Sequence, residues 1–385
     1  MILKDDIYYI GVNDTVIDLF ESLYAVPKGM TYNSYIILDE KIAVFDSVDE
    51  EFVKDWLAAA EKIIGDRKPD YLIVQHAEPD HSAGVAAFLE RYPETELVAS
   101  ERAFPMLEQF FDKEKIQKRV VVTDGDSLSL GKHILQFIMA PFVHWPEVMV
   151  TYDAFSHVLF SADAFGTFGS FQEDEHWEEE ASRYYFGIVG KFGLSVDKLL
   201  KKLEKYHIKM ICPLHGPVLK EPLNSYLHFY RTWANYVPEK KEVFIAYSSV
   251  YGNTEKAVHY LQGKLRSLGE ENVRLMDLSR CDRTKAVAEA FRCDCLVLAA
   301  TTYNGAVFPS MRNFLWDLAE RNFQRRTVAV VENGTWAPNA GNAMKRILEQ
   351  SRELEFLQTP VKIHSVVSEE AKRQLDALAE EIRKR

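Results

Sequence analysis

Tyr71-Leu72-Ile73-Val74-Gln75-His76-Ala77-Glu78-Pro79-Asp80-His81 decides how this chain is read. Its first four residues are an apolar run of the kind that forms a buried strand. The segment after it alternates imidazole with carboxylate, so His76, Glu78, Asp80 and His81 can all bind a metal. A strand ending at Val74 aims its following loop into a cleft, where such residues can converge on ions. Three more candidate ligands, His144, Asp163 and His215, each follow another strand-like stretch. They sit in short Pro/Gly-marked segments: Pro141-Phe142-Val143-His144-Trp145-Pro146, Ser161-Ala162-Asp163-Ala164-Phe165-Gly166 and Cys212-Pro213-Leu214-His215-Gly216-Pro217.

Imidazole nitrogens and carboxylate oxygens together suit zinc, iron or manganese. Seven ligands are too many for one tetrahedral ion and suit two ions sharing a carboxylate. Asp163, the single Asp between two His-bearing loops, is the natural bridge. The pattern resembles the His-x-His-x-Asp-His signature of the metallo-β-lactamase superfamily, whose hydrolases bind zinc. It departs at Glu78, where that signature has its second histidine. An anionic oxygen in place of a neutral nitrogen makes the site harder and favours iron able to cycle between ferrous and ferric forms.

His-x-Glu-x-Asp-His followed by His, Asp and His resembles the flavodiiron proteins, and His144-Trp145-Pro146, Asp163-Ala164-Phe165-Gly166 and Thr31-Tyr32-Asn33 resemble that family's own segments. The resemblance implies two irons per chain. One is held by His76, Glu78 and His144, the other by Asp80, His81 and His215, with Asp163 bridging. It also implies a tyrosine near the irons, Tyr184 or Tyr185, that donates a proton or hydrogen bond. Asp46, closing the run Ile42-Ala43-Val44-Phe45, resembles a carboxylate that orients ligands from behind, or else caps the strand. Many members carry a histidine just before the Gly-x-Thr-Tyr-Asn segment; here Val26-Pro27-Lys28-Gly29-Met30 has none. The remaining histidines, His133, His157, His176, His207, His228, His259 and His364, have no ligand pattern and read as surface or satisfied polar residues.

Composition bounds the rest. The 385 residues suffice for two domains, and 47% hydrophobic with 27% charged residues is ordinary for a globular protein. No apolar run approaches the ~20 residues of a membrane span. The polar N-terminus carries no signal core, and a net charge of −12 argues against nucleic acid as partner. Cys212, Cys281, Cys293 and Cys295 include no Cys-x-x-Cys pair, so a rubredoxin-like or zinc-ribbon module is absent and a reducing cytoplasm fits best.

The first part mixes strands and helices. Strands are expected at Asp6 to Val12, Asn33 to Val48 (broken by a turn at Asp39-Glu40-Lys41), Val120 to Thr123, Ile134 to Ala140, Met149 to Tyr152, Val158 to Ser161 and Ile208 to Cys212. Helices are expected at Glu51 to Ile64, Ala181 to Lys191 and Val196 to Lys205, with an acidic stretch from Gln172 to Glu180. Val237-Pro238-Glu239-Lys240-Lys241 reads as a linker. Domains are therefore placed at 1–236 and 243–385, joined by 237–242. Beyond the linker, strands at Val243 to Tyr247, Val273 to Leu278, Cys295 to Ala300, Thr327 to Val331 and Val361 to Val367 alternate with helices, ending in Glu369 to Arg385. That alternation indicates a doubly wound parallel sheet. The fold expected is α/β throughout: a metallo-β-lactamase-like αββα sandwich, then a flavodoxin-like five-stranded sheet.

Ser248, Ser249, Val250, Tyr251, Gly252, Asn253 and Thr254 join the first of those strands to a helix. Hydroxyls, backbone amides and a helix N-terminus make a phosphate cradle, without a Gly-x-Gly-x-x-Gly or Walker lysine. The loop resembles the phosphate loop of flavodoxins, which bind FMN. Thr301, Thr302, Tyr303, Asn304 and Gly305, and then Asn333, Gly334, Thr335 and Trp336, follow neighbouring strands, at the edge where doubly wound sheets bind ligands. Trp336 suits stacking on the isoalloxazine.

The family resemblance covers the whole chain and implies reduction of dioxygen to water or of nitric oxide to nitrous oxide. It also implies a head-to-tail homodimer, able to pair into a tetramer, that sets one copy's FMN beside the other's irons. The electron donor is expected to be separate, with rubredoxin favoured and a reduced deazaflavin the alternative. The competing reading is a dinuclear zinc hydrolase fused to a flavodoxin domain.

Overall fold

A computed structural model describes residues 1–171 and 177–385. The acidic stretch expected from Gln172 lies partly outside the described residues, as does His176. The chain divides into two compact units, Met1–Arg231 and Thr232–Arg385.

Two sheets face each other in the first unit. One runs in the order Ile2–Lys4, Ile7–Tyr9, Tyr35–Leu38, Ile42–Phe45, Tyr71–Val74, Glu96–Ser100 and Arg119–Val122. Its last three junctions are parallel and the others antiparallel. The second runs Ser127–Ser129, Ile134–Met139, Met149–Asp153, Val158–Phe160, Met210–Cys212 and Leu219–Lys220. Alternate residues of both sheets bury a shared core, as two sheets each with one apolar face must. Phe160 of the second sheet stacks on Phe45 of the first, with ring centroids 4.0 Å apart.

Two features place functional residues. Val158–Phe160 pairs in parallel with Met210–Cys212, so the loops bearing Asp163 and His215 leave from the same edge. Ile42–Phe45 pairs in parallel with Tyr71–Val74, which sets Asp46 beside Gln75 and His76. The single strand expected over Asp6 to Val12 is two, because Ile7–Tyr9 joins the large sheet while Val12–Asp14 pairs with Met30–Tyr32. The helix expected over Ala181 to Lys191 is also interrupted. An α-helix over Trp177–Tyr184 gives way to a π turn over Tyr185–Val189 and a 3₁₀ turn over Gly190–Phe192. Gly187 lies where a Cβ would come within 2.6 Å of the Tyr24 ring, so the aromatic packs against bare backbone.

The second unit holds a sheet ordered Val273–Asp277, Lys240–Ser248, Cys293–Tyr303 and Thr327–Asn333, all parallel. Its fifth position is split between Glu355–Phe356 and Val361–Ile363, each pairing in parallel with Thr327–Asn333. This is a flavodoxin-like doubly wound order. The first strand opens at Lys240, inside the segment expected as linker. The last strand stops at Ile363, and Ser365 turns away with φ 66°. Cys293 and Cys295 are buried in the longest strand. No described helix is long and apolar enough to cross a membrane.

Candidate metal centre

Each of the seven ligand candidates leaves the end of a strand or its following loop. Asp46 accepts from the backbone N–H of Gln75 (2.7 Å) and of His76 (3.3 Å) and from the Gln75 side chain (3.0 Å), fixing the chain where it leaves the strand. Pro79 opens a short helix over Pro79–Ser82 that turns Asp80 and His81 the same way. The His215 loop is clamped from Thr31 to Tyr35. Asn33 Nδ2 donates to the carbonyls of Pro213 (2.8 Å) and Gly216 (2.9 Å), and Tyr35 Oη to Pro213 (2.6 Å). Gly216 has φ 77°, and a Cβ there would meet Thr167 Cγ2 at 2.2 Å, so only glycine lets this loop close.

The structure brings all seven residues together as two groups on either side of Asp163. In the first, His76 Nε2 lies 3.0 Å from Glu78 Oε2 and 3.5 Å from Asp163 Oδ2. His144 Nε2 lies 3.1 Å from each of the same two oxygens. In the second, Asp80 Oδ2 is 3.3 Å from both His81 Nε2 and His215 Nε2, and those nitrogens are 3.0 Å apart. Asp163 Oδ1 faces this group, 3.3 Å from His81 Nε2 and 3.9 Å from His215 Nε2. One carboxylate thus offers one oxygen to each group.

The electrostatics fit cations. Burial disfavours a charged His144, yet Asp163 and Glu78 beside it outweigh that and lift it to about 9. His76 is raised in the same way by Asp163, Glu147 and Glu78, and His81 by Asp80 and Asp163. Burial alone would raise Asp163, but His76, His144 and His81 hold it well below the usual carboxylate range. Protons therefore stand in for positive ions. Asp80 Oδ1 and Oδ2, Asp163 Oδ1 and His144 Nε2 are buried without a well-directed hydrogen bond among the described residues. Buried polar atoms left so are costly unless something else binds them. A mixed nitrogen–oxygen set in two groups sharing one carboxylate fits two ions of intermediate hardness.

Tyr184 is buried with its ring 5.5 Å from that of His215, and burial followed by the Asp163 charge pushes its hydroxyl well up. Tyr185 instead packs edge-on against Tyr230 and Phe186. Three participants lay beyond sequence reasoning. Glu147 Oε1 accepts from His76 Nδ1 at 2.8 Å, and its signal was its place directly after His144-Trp145-Pro146. His215 Nδ1 donates to the backbone carbonyl of Thr31 at 2.6 Å, which no side chain announces. Glu21, on a short hairpin over Leu19–Phe20 and Tyr24–Ala25, is pushed up to about 7 by burial and then by Glu78. Of the other histidines, His133 is fully buried against Asp153 (2.8 Å), and His157 meets the Tyr152 hydroxyl (2.8 Å).

In the second unit the three expected loops leave parallel strands at one edge and are tied together by hydroxyls. Ser248 Oγ lies 2.8 Å from Ser310 Oγ, which lies 3.1 Å from Ser279 Oγ. Thr254 Oγ1 is 3.1 Å from Thr301 Oγ1 and accepts from Asn333 Nδ2 (3.3 Å). Asn304-Gly305, with φ 51° and 72°, turns a tight hairpin that pairs Thr302 and Tyr303 with Val307 and Ala306. Thr302 Oγ1 accepts from Asn339 N (2.9 Å) and Ala340 N (3.1 Å), capping the helix Ala340–Leu348. Beside these hydroxyls Tyr251 is 90% and Trp336 82% exposed, leaving broad aromatic faces uncovered. Such faces, beside the start of the helix Asn253–Ser267, whose N-cap Gly252 offers no side-chain acceptor, fit a flat phosphorylated aromatic such as FMN. Ser279, Ser310, Asn339 and Ser365 join this edge from elements that carried no motif.

Known proteins agree with both units. Residues 30–216 match the family described as ODP family beta lactamase, and residues 244–367 match a flavodoxin domain. A nitric oxide reductase of Moorella thermoacetica is 33% identical over 326 residues, 82% of this chain and 81% of the relative. An anaerobic nitric oxide reductase flavorubredoxin of Vibrio vulnificus is 28% identical, over 90% of this chain and 71% of its own length. Among solved structures, the rubredoxin oxygen:oxidoreductase from Desulfovibrio gigas superposes with TM-score 0.93 at 26% identity, covering 100% of this chain and 98% of that one. A variant of the flavo di-iron protein from Thermotoga maritima gives 0.88 at 25% identity, over 98% and 95%. With both units, their order and a relative of this identity in agreement, the chain belongs to the flavodiiron protein family.

Proposed function

We propose that this chain reduces dioxygen to water, nitric oxide to nitrous oxide, or both, at two irons re-reduced by FMN. The observation that carries the reading is Asp163, with one oxygen turned to each of two ligand groups. His76, Glu78 and His144 would hold one iron, Asp80, His81 and His215 the other. When bound, a ferrous pair supplies two electrons at once to a diatomic, and FMN restores them.

The chain's own residues do the remaining work. Three carboxylates offset most of the charge of two divalent ions and four neutral imidazoles complete the donor set, in a site that Phe20, Tyr32 and Tyr184 wall off around His215. Glu78, Asp80 and His144 are the partly exposed ligands, with side-chain exposures of 19%, 13% and 10%, so a gas enters on their side. Both reductions consume protons, and Tyr184, protonated throughout the physiological range, is placed to hold one near the second group. In the second unit the Ser248-to-Thr254 loop would hold the FMN phosphate, with Trp336 on the ring.

A rubredoxin-type electron donor is supported by the name of the Desulfovibrio gigas neighbour. A head-to-tail homodimer would bring one copy's FMN to the other's irons, and two such dimers would make a tetramer. Four free cysteines support a reducing compartment, the cytoplasm.

Anaerobic purification followed by metal and flavin analysis, with oxygen and nitric oxide uptake measured under a reduced donor, tests the proposal. About two irons and one FMN per chain, with turnover of either gas, are expected. Two zinc ions, and no gas uptake after reconstitution with iron, would overturn it in favour of a hydrolase.

A further inference from the structure

The two halves of the centre are not supported alike from behind. Glu147 is buried and joins only the first half. Its Oε1 accepts from the backbone N–H of Ala77 at 2.9 Å and from His76 Nδ1 at 2.8 Å. Its own backbone is anchored, since Ser100 Oγ donates to the Glu147 carbonyl at 2.7 Å and Met149 N to the Gln75 carbonyl at 3.1 Å. A carboxylate here can only accept, so the proton His76 keeps when an ion binds is the one on Nδ1, which leaves Nε2, beside Glu78 and Asp163, as the donor to the ion. His215 Nδ1 meets a neutral carbonyl instead, that of Thr31. His81 Nδ1 is buried with no hydrogen-bond partner among the described residues.

We propose that Glu147 is a positioning residue that makes the His76–Glu78–His144 half the tighter of the two metal sites. The proposal rests on the diiron reading above. A buried anion behind an imidazole fixes its tautomer and ring plane and strengthens the opposite nitrogen as a donor. Each half has three ligands of its own and one oxygen of Asp163, but only the first has a buried carboxylate behind it, and Asp163 lies closer to the first half's histidines (3.1 and 3.5 Å) than to the second's (3.3 and 3.9 Å). In the second, the far nitrogen of His81 has no hydrogen-bond partner among the described residues, and that of His215 meets only a neutral carbonyl. Filling of the centre is therefore sequential, and Glu147 sets the order.

Metal-free full-length protein titrated anaerobically with Co2+, followed by d–d absorption and by heat, tests this. The wild type should show two steps separated at least tenfold. Glu147→Gln keeps an oxygen for both donors and removes only the charge. It should weaken the tighter step by about 10–100-fold, leave the weaker one in place and not alter flavin content. Glu147→Ala should weaken the same step further. An unchanged isotherm in the Gln variant, or equal weakening of both steps, overturns the inference while the diiron reading stands. Failure of the wild type to bind any Co2+ overturns both. Should Glu147→Gln not fold, Ser100→Ala frees the Glu147 carbonyl with the carboxylate intact. A selective loss at the tighter step then supports the proposal, and an equal or absent loss overturns it.

Discussion

Stripped of metal, this protein should become less stable as the pH rises from 6 to 9, opposite to its loaded form. His144 sits 3.1 Å from both Glu78 and Asp163, and with no ion to share these oxygens the two carboxylates, outweighing burial, lift it to about 9. An unfolded histidine titrates near 6.5, so the folded state holds the proton over some 2.5 pH units. At ~1.36 kcal/mol per unit, that is about 3 kcal/mol from one nearly buried residue. The group is raised on folding, so its stabilisation is complete below about pH 6.5 and is lost as the pH climbs through about 9. His76 and His81 are raised too and act in the same direction. Glu78 and Asp163 are lowered on folding; their contribution is lost only in acid and is constant across this window. Binding of a divalent ion must expel these protons. At pH 7, two units below the His144 value, the proton on that one ligand thus reduces apparent metal affinity about 50-fold relative to pH 9. Urea unfolding of chelated protein at pH 6, 7.5 and 9, with Co2+ calorimetry in two buffers of different ionisation heat, measures both effects. A flat or rising urea midpoint, or no protons released on binding, would refute the reasoning.

Three further outcomes follow from geometry. Asp163→Asn should empty both sites while FMN is retained, because it removes the one charge facing all four imidazoles; metal analysis reads it, and one metal retained at full occupancy counts against the bridge. Thr302→Ala leaves two N–H groups at the start of Ala340–Leu348 without an acceptor and should cost about 1 kcal/mol of unfolding free energy, with Thr302→Ser restoring it. Trp336→Ala should change stability by less than ~0.5 kcal/mol, since the ring is exposed. It should nonetheless weaken FMN binding two- to tenfold, read from flavin fluorescence on release, in keeping with ~0.5–1.5 kcal/mol of aromatic stacking.

The strand at Tyr71–Val74 and the residues after it were legible because a short buried strand and its ligands are written in one contiguous stretch. The alternation beyond Lys241 was legible for the same local reason where the strand is an apolar run, as in Val243 to Tyr247 and Cys295 to Ala300, and less so at Val273–Asp277 and Val361–Ile363, which Arg274 and Lys362 interrupt. Tertiary contacts were less so. Gly187 marks a break in a helix only because Tyr24, far away in sequence, needs the space. Glu147 has only its place after His144-Trp145-Pro146 to mark it, and its role shows once the chain folds it behind His76. The support that Thr31 lends His215 comes from a carbonyl, which every residue possesses. Ser279 and Ser310 are short polar residues without spacing or repetition, and only the parallel sheet brings them to Ser248.

Division of the ligands into two groups has a consequence for how the centre is made. The first group, His76, Glu78, His144 and Asp163, is complete once the ribosome has passed residue 163. The second awaits His215, far downstream in the chain. His215 reaches its place only when Met210–Cys212 adds to Val158–Phe160. A nascent chain can thus present one set of ligands while the strand that delivers the last histidine is still unmade. Order of synthesis and order of metal filling then run in the same direction along the polypeptide.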